Sequence, residues 1–239
     1  MKLAGKIGAV WIAFWFAVSF LLLYPLFALF LSNEKWFPQA NRLRKVWAWF
    51  LVCITFIRVK IIKEEDLPKA PAVYVSNHTS YWDIIAFGLI MPPKFAFMAK
   101  MELGKIPLFG IFFRTVDIGV NRKSVIDAHK AFLVANERIA KGYSVVIFPE
   151  GTIWQHSPKL KPFKNGAFKL AIEAGIPIVP ITFYNNYKIL PDEKFEFNPQ
   201  TLRMKIHRAE PTSHLKPTDS DFLKDKIFTI IEQELAGKA

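Results

Sequence analysis

His78 and Asp83 stand five positions apart in Ala72-Val73-Tyr74-Val75-Ser76-Asn77-His78-Thr79-Ser80-Tyr81-Trp82-Asp83. The β-branched run before them reads as a buried strand that ends at the histidine, and the aspartate falls where a helix begins. Open α/β folds place their chemistry at such strand ends. An imidazole there can take a proton from a hydroxyl. A neighbouring carboxylate would fix its tautomer and stabilise the imidazolium, as in triad enzymes but without the serine. Ser80-x-x-Asp83 is also a good capping box, which accounts for an aspartate at this position without any catalysis. The spacing alone decides little. Five His and eight Asp in 239 residues give about 0.2 such pairs by chance. A second pair, His214 and Asp219, lies in a proline-flanked polar loop with no strand before it.

The elements that would hold such a pair alternate along the chain from about Arg58. Strands are expected at Ile57–Lys63, Ala72–Ser76, Phe95–Ala99, Thr115–Val120, Ser144–Phe148, Pro177–Tyr184 and Leu202–His207. Helices are expected at Ser80–Ile90, Lys123–Lys141, Lys164–Ala174 and Asp219–Leu235. The alternation predicts an α/β domain built on a largely parallel or mixed sheet flanked by helices. Lys188–Gln200, with Pro191, Pro199 and mixed charges, is the most loop-like stretch. No internal repeat is visible, and no Gly/Ser linker separates a second globular domain.

Composition narrows the setting. Hydrophobic residues are 52% and charged residues 22%, with a mean hydropathy of +0.20. These values exclude a disordered chain and an all-membrane bundle. The single cysteine, Cys53, excludes a disulfide framework and a cysteine-rich metal site. A net charge of +12 points to anionic partners: nucleic acid, lipid headgroups or phosphorylated substrates.

The apolar excess is at the front. Ile7 to Leu31 carries no charge, and as a helix it would measure about 38 Å against a bilayer core of about 30 Å. It is too long for a signal peptide and no small-residue cleavage site follows, so it reads as an uncleaved anchor, with Pro25 a place for a kink. A second run, Val46 to Ile57, is too short to cross alone. Basic residues flank both runs: Lys2 and Lys6 before, Lys35, Arg42, Arg44 and Lys45 between, Arg58, Lys60 and Lys63 after. A helical hairpin dipping into one leaflet keeps all three clusters on the cytoplasmic side. The alternative is one spanning helix followed by a surface helix. The expected division is a membrane-embedded hairpin over residues 1–57 and an α/β domain over 58–239, on the cytoplasmic face of the cell membrane.

Three further blocks follow the histidine block in order. The first runs from Lys100-Met101-Glu102-Leu103-Gly104-Lys105-Ile106-Pro107 to Asp117-Ile118-Gly119-Val120-Asn121-Arg122; the second is Val146-Ile147-Phe148-Pro149-Glu150-Gly151-Thr152; the third is Ile176-Pro177-Ile178-Val179-Pro180-Ile181. Together, over about residues 70–182, they resemble the glycerolipid acyltransferases, and within them the 1-acylglycerol-3-phosphate acyltransferases. The resemblance implies that His78 and Asp83 are the catalytic pair of the family's HX4D motif, and that Arg122 binds the glycerophosphate. It also implies that Phe148, Pro149, Glu150, Gly151 and Thr152 belong to a substrate-binding block, with Val179-Pro180 as the fourth. Two departures stand out. Val120-Asn121-Arg122 replaces the usual Ile-Asp-Arg, and Gly151-Thr152-Ile153 replaces Gly-Thr-Arg, so Lys105, Lys159 and Lys161 become candidates to supply the missing charge. A guanidinium at 122 suits phosphate because its planar fork meets two oxygens at once.

The activity implied is transfer of an acyl chain from a thioester to the sn-2 hydroxyl of lysophosphatidic acid, with His78 as general base. The thioester, on coenzyme A or acyl carrier protein, is a co-substrate, and no metal or bound cofactor is implied. No acyl-enzyme is needed, since Cys53 lies in the apolar hairpin and no serine has a triad-like setting. Glycerol 3-phosphate or another lysophospholipid is the alternative acceptor, and a catalytically silent lipid-binding module the alternative class. Lys159–Lys164 lacks any nucleic-acid motif around it and is expected to face anionic lipid or an acidic acyl carrier. His129, His156 and His207 have no partner at ligand or triad spacing.

Overall fold

The computed structural model describes residues 2–69, 71–121 and 124–237. Among them seven strands form one mixed sheet: β1 (Val59–Lys63), β2 (Val73–Ser76), β3 (Phe95–Lys100), β4 (Ile118–Val120), β5 (Ser144–Ile147), β6 (Ile178–Phe183) and β7 (Leu202–Ile206), in the order β1-β7-β6-β2-β5-β3-β4. From β6 across to β4 all neighbours are parallel; β7 runs antiparallel to β6 and parallel to β1. β2, β5 and β6 are buried along their whole length, in keeping with their mostly apolar sequences. One consequence governs the rest of the molecule: β2 to β6 all point the same way, so their C-terminal ends meet at one edge of the sheet.

Each expected strand contains an observed one, except that β3 runs one residue past its expected end, to Lys100. The segment Thr115–Val120 is strand only from Ile118, because Ile111–Arg114 forms a helical turn (α4) and the Thr115 hydroxyl bonds back to the Ile111 carbonyl at 2.7 Å. The helices α5 (Val125–Ala140), α6 (Gly166–Ala174) and α8 (Ser220–Ala236) cover one face of the sheet. There Ala135, Ile139, Phe168, Leu170, Ile227 and Ile231 pack on Val73, Val75 and Val145. A short helix, α7 (Asn186–Ile189), follows β6 and takes the first two residues of the stretch expected as loop.

The opposite face carries α3 (Trp82–Ile90) and, outside it, α1 (Lys2–Leu31) and α2 (Phe37–Ile54). Ala9, Ile12, Ala48 and Val52 of these outer helices share a core with Trp82, Phe87, Tyr74 and Val146. α2 is longer than the apolar run that announced it, since its first half docks on protein through polar groups. Asn41 donates to the carbonyls of Pro93 and Phe95, both at 2.8 Å. Arg44 meets Asp117 through two parallel bonds of 3.0 and 2.7 Å and lies 4.0 Å over the Phe112 ring. Asp117 also accepts the Phe97 N–H. Between α1 and α2, Glu34 accepts from Arg138 and Lys141 around the end of α5, both at 2.7 Å.

The outward faces of both helices are apolar: Ile7, Val10, Trp11, Phe14, Leu21 and Leu22 on α1, Val46, Trp49 and Phe50 on α2, then Phe56. Leu3–Leu31 is long and apolar enough to cross a membrane. α1 continues through Pro25 without ending.

The Arg44–Asp117 pair is the buried ionic tie between α2 and the sheet. Arg44→Ala, which strands a buried carboxylate, is expected to destabilise the fold by about 3–5 kcal/mol, whereas replacing both partners with apolar residues (Arg44→Met with Asp117→Leu) should cost much less. Denaturant unfolding in detergent checks this; a single variant within about 1 kcal/mol of the wild type would contradict the assignment.

Candidate active site

The site is assembled at the C-terminal edge of β2. Asn77, the first residue beyond the strand, exchanges two 2.8 Å bonds with the backbone of Phe183, tying β2 to the end of β6. The chain then turns at His78, Thr79 and Ser80 into α3, and Asp83 falls in the first turn of that helix with no exposure to solvent. Asp83 Oδ2 lies 3.0 Å from His78 Nδ1 and accepts the N–H groups of Thr79 (2.6 Å) and Ser80 (3.0 Å). Its Oδ1 accepts from the Asn186 amide at 2.7 Å and from the Thr79 hydroxyl at 3.4 Å. The same carboxylate therefore serves the turn and the ring together. It closes the turn into α3 and it orients the imidazole. The Ser80 hydroxyl, for its part, accepts the Trp82 N–H at 3.1 Å and donates to the Leu190 carbonyl at 2.7 Å.

With Nδ1 turned to Asp83, Nε2 is the nitrogen left for a substrate. The His78 side chain is 13% exposed, and its ring stacks on Phe148 with centroids 3.8 Å apart and planes within 17°. The ring is thus held at its edge by a carboxylate and on one face by an aromatic ring.

Glu150 is placed differently from a residue reaching into solvent. It is 1% exposed, Oε1 accepts the His78 N–H at 2.9 Å, and Oε2 accepts the Lys161 N–H at 3.1 Å. The His78 carbonyl in turn accepts the Trp154 N–H at 2.8 Å. The loop after β5 is therefore laced to the histidine's own backbone. Burial pushes the Glu150 carboxyl up to about 7, with the two backbone donors pulling the other way and the Asp83 charge adding to the rise. Gly151 follows at φ +77°, a conformation that favours glycine, and closes a turn onto the Phe148 carbonyl at 3.0 Å.

Other expected site residues fall around this edge. Thr152 is exposed just after that turn, and Lys105 is exposed on the 3₁₀ turn Met101–Lys105 that follows β3. Arg122 lies outside the described residues; β4, which precedes it, ends at the same edge. Lys159 is exposed, and the Lys161 ammonium sits 5.3 Å from the Trp154 ring centre. At the second His–Asp spacing Asp219 instead accepts the Lys216 N–H at 2.8 Å, capping a short turn. His207 is a core residue bonded to Thr182 at 2.8 Å, while His129 and His156 are exposed.

Sequence reasoning missed Asn186. It is fully buried, stands 103 positions from Asp83 and belongs to no block. The one signal available was its place just beyond β6, at the sheet edge where open α/β folds carry chemistry.

The raised Glu150 carboxyl has a consequence for stability. The folded state holds its proton more tightly than the unfolded chain, whose value is near 4.5. The associated stability is fully present below that value and is lost as pH rises through about 7, an effect on the order of 3 kcal/mol. Thermal unfolding in detergent between pH 5 and 8 should show this decline in the wild type and a shallower slope in Glu150→Gln. Equal slopes would remove Glu150 as the source.

Comparison with known proteins identifies the family and the fold. The acyltransferase family profile matches residues 58–184, from the residue before β1 to the residue after β6. A 1-acyl-sn-glycerol-3-phosphate acyltransferase of Chlamydomonas reinhardtii is 32% identical over 99% of this chain and 73% of its own length. The 1-acyl-sn-glycerol-3-phosphate acyltransferase alpha of Bos taurus is 32% identical over 72% of this chain and 60% of its own. The crystal structure of the 1-acyl-sn-glycerophosphate acyltransferase from Thermotoga maritima has the same fold, with a TM-score of 0.83 at 23% identity, covering 99% of this chain and 96% of that one. With its histidine block, its parallel strand ends and the profile over more than half its length in agreement, the chain belongs to the acyltransferase family.

Proposed function

We propose that the protein transfers an acyl chain from an acyl thioester, carried by coenzyme A or acyl carrier protein, to the sn-2 hydroxyl of lysophosphatidic acid, making phosphatidic acid. The observation that carries this reading is the His78 Nδ1–Asp83 Oδ2 contact of 3.0 Å at the sheet edge where the family's blocks converge. The relatives named for this activity support the choice of acceptor.

His78 Nε2 takes the proton of the acceptor hydroxyl as its oxygen attacks the thioester carbonyl. The buried Asp83 carboxylate stabilises the imidazolium so formed, much as in a catalytic triad, while the tetrahedral oxyanion collapses and expels the thiolate. The imidazolium then returns its proton to the leaving sulfur, and no acyl-enzyme forms. Cys53, on the outward side of α2, plays no part. Arg122 and Lys105 supply positive charge for the acceptor phosphate, and the exposed Thr152 beyond the Gly151 turn lines the same end of the site.

Residues 1–57 act as a hairpin embedded in one leaflet, with the α/β domain of residues 58–239 on the cytoplasmic face. The apolar outward faces of α1 and α2 support this, as does their packing flat along the domain. Both substrates carry acyl chains whose removal into water costs about 0.8 kcal/mol per methylene, so a site held against the headgroups avoids that penalty.

The test is turnover of purified protein with lysophosphatidic acid, glycerol 3-phosphate and lysophosphatidylcholine as acceptors and with both thioester donors. Lysophosphatidic acid should be preferred. Arg122→Ala should lower kcat/KM for it by one to two decades, the equivalent of about 1.5–3 kcal/mol, and leave the donor KM within about twofold. Equal use of the neutral lysolipid, or an Arg122→Ala variant with unchanged acceptor kinetics, would contradict the reading.

A further inference from the structure

The catalytic carboxylate is connected to the apolar helix at the front of the chain by an unbroken set of contacts. At one end, the Asn186 amide donates to Asp83 Oδ1 at 2.7 Å, the shortest bond that this oxygen receives. Asn186 is fully buried, and its side-chain oxygen Oδ1 has no hydrogen-bond partner among the described residues. A buried amide left half-satisfied is unfavourable by itself, so the position is held by what its N–H does for Asp83.

The chain beyond Asn186 is fastened at each step. Leu190 N–H bonds to the Asn186 carbonyl at 3.0 Å, and the Leu190 carbonyl accepts the Ser80 hydroxyl at 2.7 Å, beside the catalytic turn. Asn198 N–H closes the loop onto the Ile189 carbonyl at 2.8 Å. Phe197 packs against Trp82, the residue before Asp83, with ring centroids 5.9 Å apart. At the other end, Phe197 N–H donates to the Gly5 carbonyl of α1 at 2.8 Å. A Cβ added at Gly8 would come within 3.1 Å of the Phe197 ring, so the close seating of α1 depends on the missing side chain.

We propose that residues 186–198 form a positioning strap, with Asn186 as the positioning residue, through which the seating of α1 sets the geometry of the His78–Asp83 pair. The proposal rests on the reading of His78 as general base oriented by Asp83. Asn186 touches neither substrate nor the reacting atoms. It acts on Asp83, and α1 acts on Asn186 through Phe197 and the loop between them. The front helix then does more than hold the enzyme at the membrane: its first turns are part of what keeps the site in order.

The experiment is a pair of double-mutant cycles on the full chain in vesicles of phosphatidylcholine and phosphatidylglycerol. Asn186→Ala and Gly8→Val are each made alone and in an Asp83→Asn background, with thermal midpoints and vesicle sedimentation measured alongside kcat and KM. Asp83→Asn alone should lower kcat by about 10²–10⁴-fold. Asn186→Ala is expected to lower kcat by about 10- to 100-fold with both KM values within about threefold, and Gly8→Val by a smaller factor in the same pattern. In the Asp83→Asn background neither should cost more than about twofold further, because both act through that carboxylate. A residue that merely supports the fold would cost as much in either background, and that result overturns the proposal. So does an unchanged kcat in Gly8→Val, which remains decisive if Asn186→Ala does not fold. A large loss in Asp83→Asn with none in the other two removes the strap alone and leaves the general-base reading standing. An unchanged kcat in Asp83→Asn removes both.

Discussion

A carboxylate with no access to water must have its oxygens met by donors, and Asp83 is such a group. Its two oxygens collect the His78 ring, two backbone N–H groups, a hydroxyl and a distant amide. Each partner is thereby fixed. The backbone donors set the turn at 78–80, the amide places α7 over the catalytic turn, and the imidazole is left with only Nε2 facing outward. Removing one donor leaves part of a buried charge unmet, at a cost of about 1.5–3 kcal/mol before any chemistry is considered. On the proposed mechanism, structure and catalysis depend on the same lone pairs.

The sheet supplies the frame for that hub. β2 lies between β5 and β6, all three parallel, so the residues just past each strand are near neighbours. Side chain-to-backbone ties bind them: Asn77 to Phe183 across the β2–β6 boundary, Glu150 to His78 across the β2–β5 boundary. The histidine is held on both sides by its neighbours' loops, with the Phe148 ring filling one face. On the far side of α3 the front helices complete the layer, and their buried contacts with the sheet are both apolar and ionic.

What could be read from the sequence follows from how each feature is encoded. Strands buried on both faces announce themselves as runs rich in apolar and β-branched residues, which is why Val73–Ser76 and Ile178–Phe183 were legible to within a residue at each end. The His78–Asp83 pair is local and sits in a recognisable block, so it too was legible, although spacing alone left capping and catalysis as rivals. In its buried position one side chain both closes the turn and contacts the imidazole. Asn186 and the Arg44–Asp117 tie join positions 103 and 73 residues apart, and no periodicity or motif reports such contacts. The first half of α2 escaped for a related reason: its polar residues point into protein, where a hydropathy reading expects them to end a buried helix. Lys188 and Ile189, the second half of α7, likewise fell in the stretch expected as loop, because a single helical turn has too few residues to show a pattern.

The central claim is that His78, oriented by Asp83, removes the acceptor's proton in a direct transfer. Single-turnover rapid quench with radiolabelled acyl thioester, comparing the wild type with His78→Ala in vesicles, tests it most directly. The account predicts that the rate constant for acyl transfer falls by at least about 10³-fold in His78→Ala while the donor still binds, and that no labelled protein accumulates in the wild type when the acceptor is withheld. A rate constant within about tenfold of the wild type, or a covalent acyl-protein formed before acceptor is added, would contradict it.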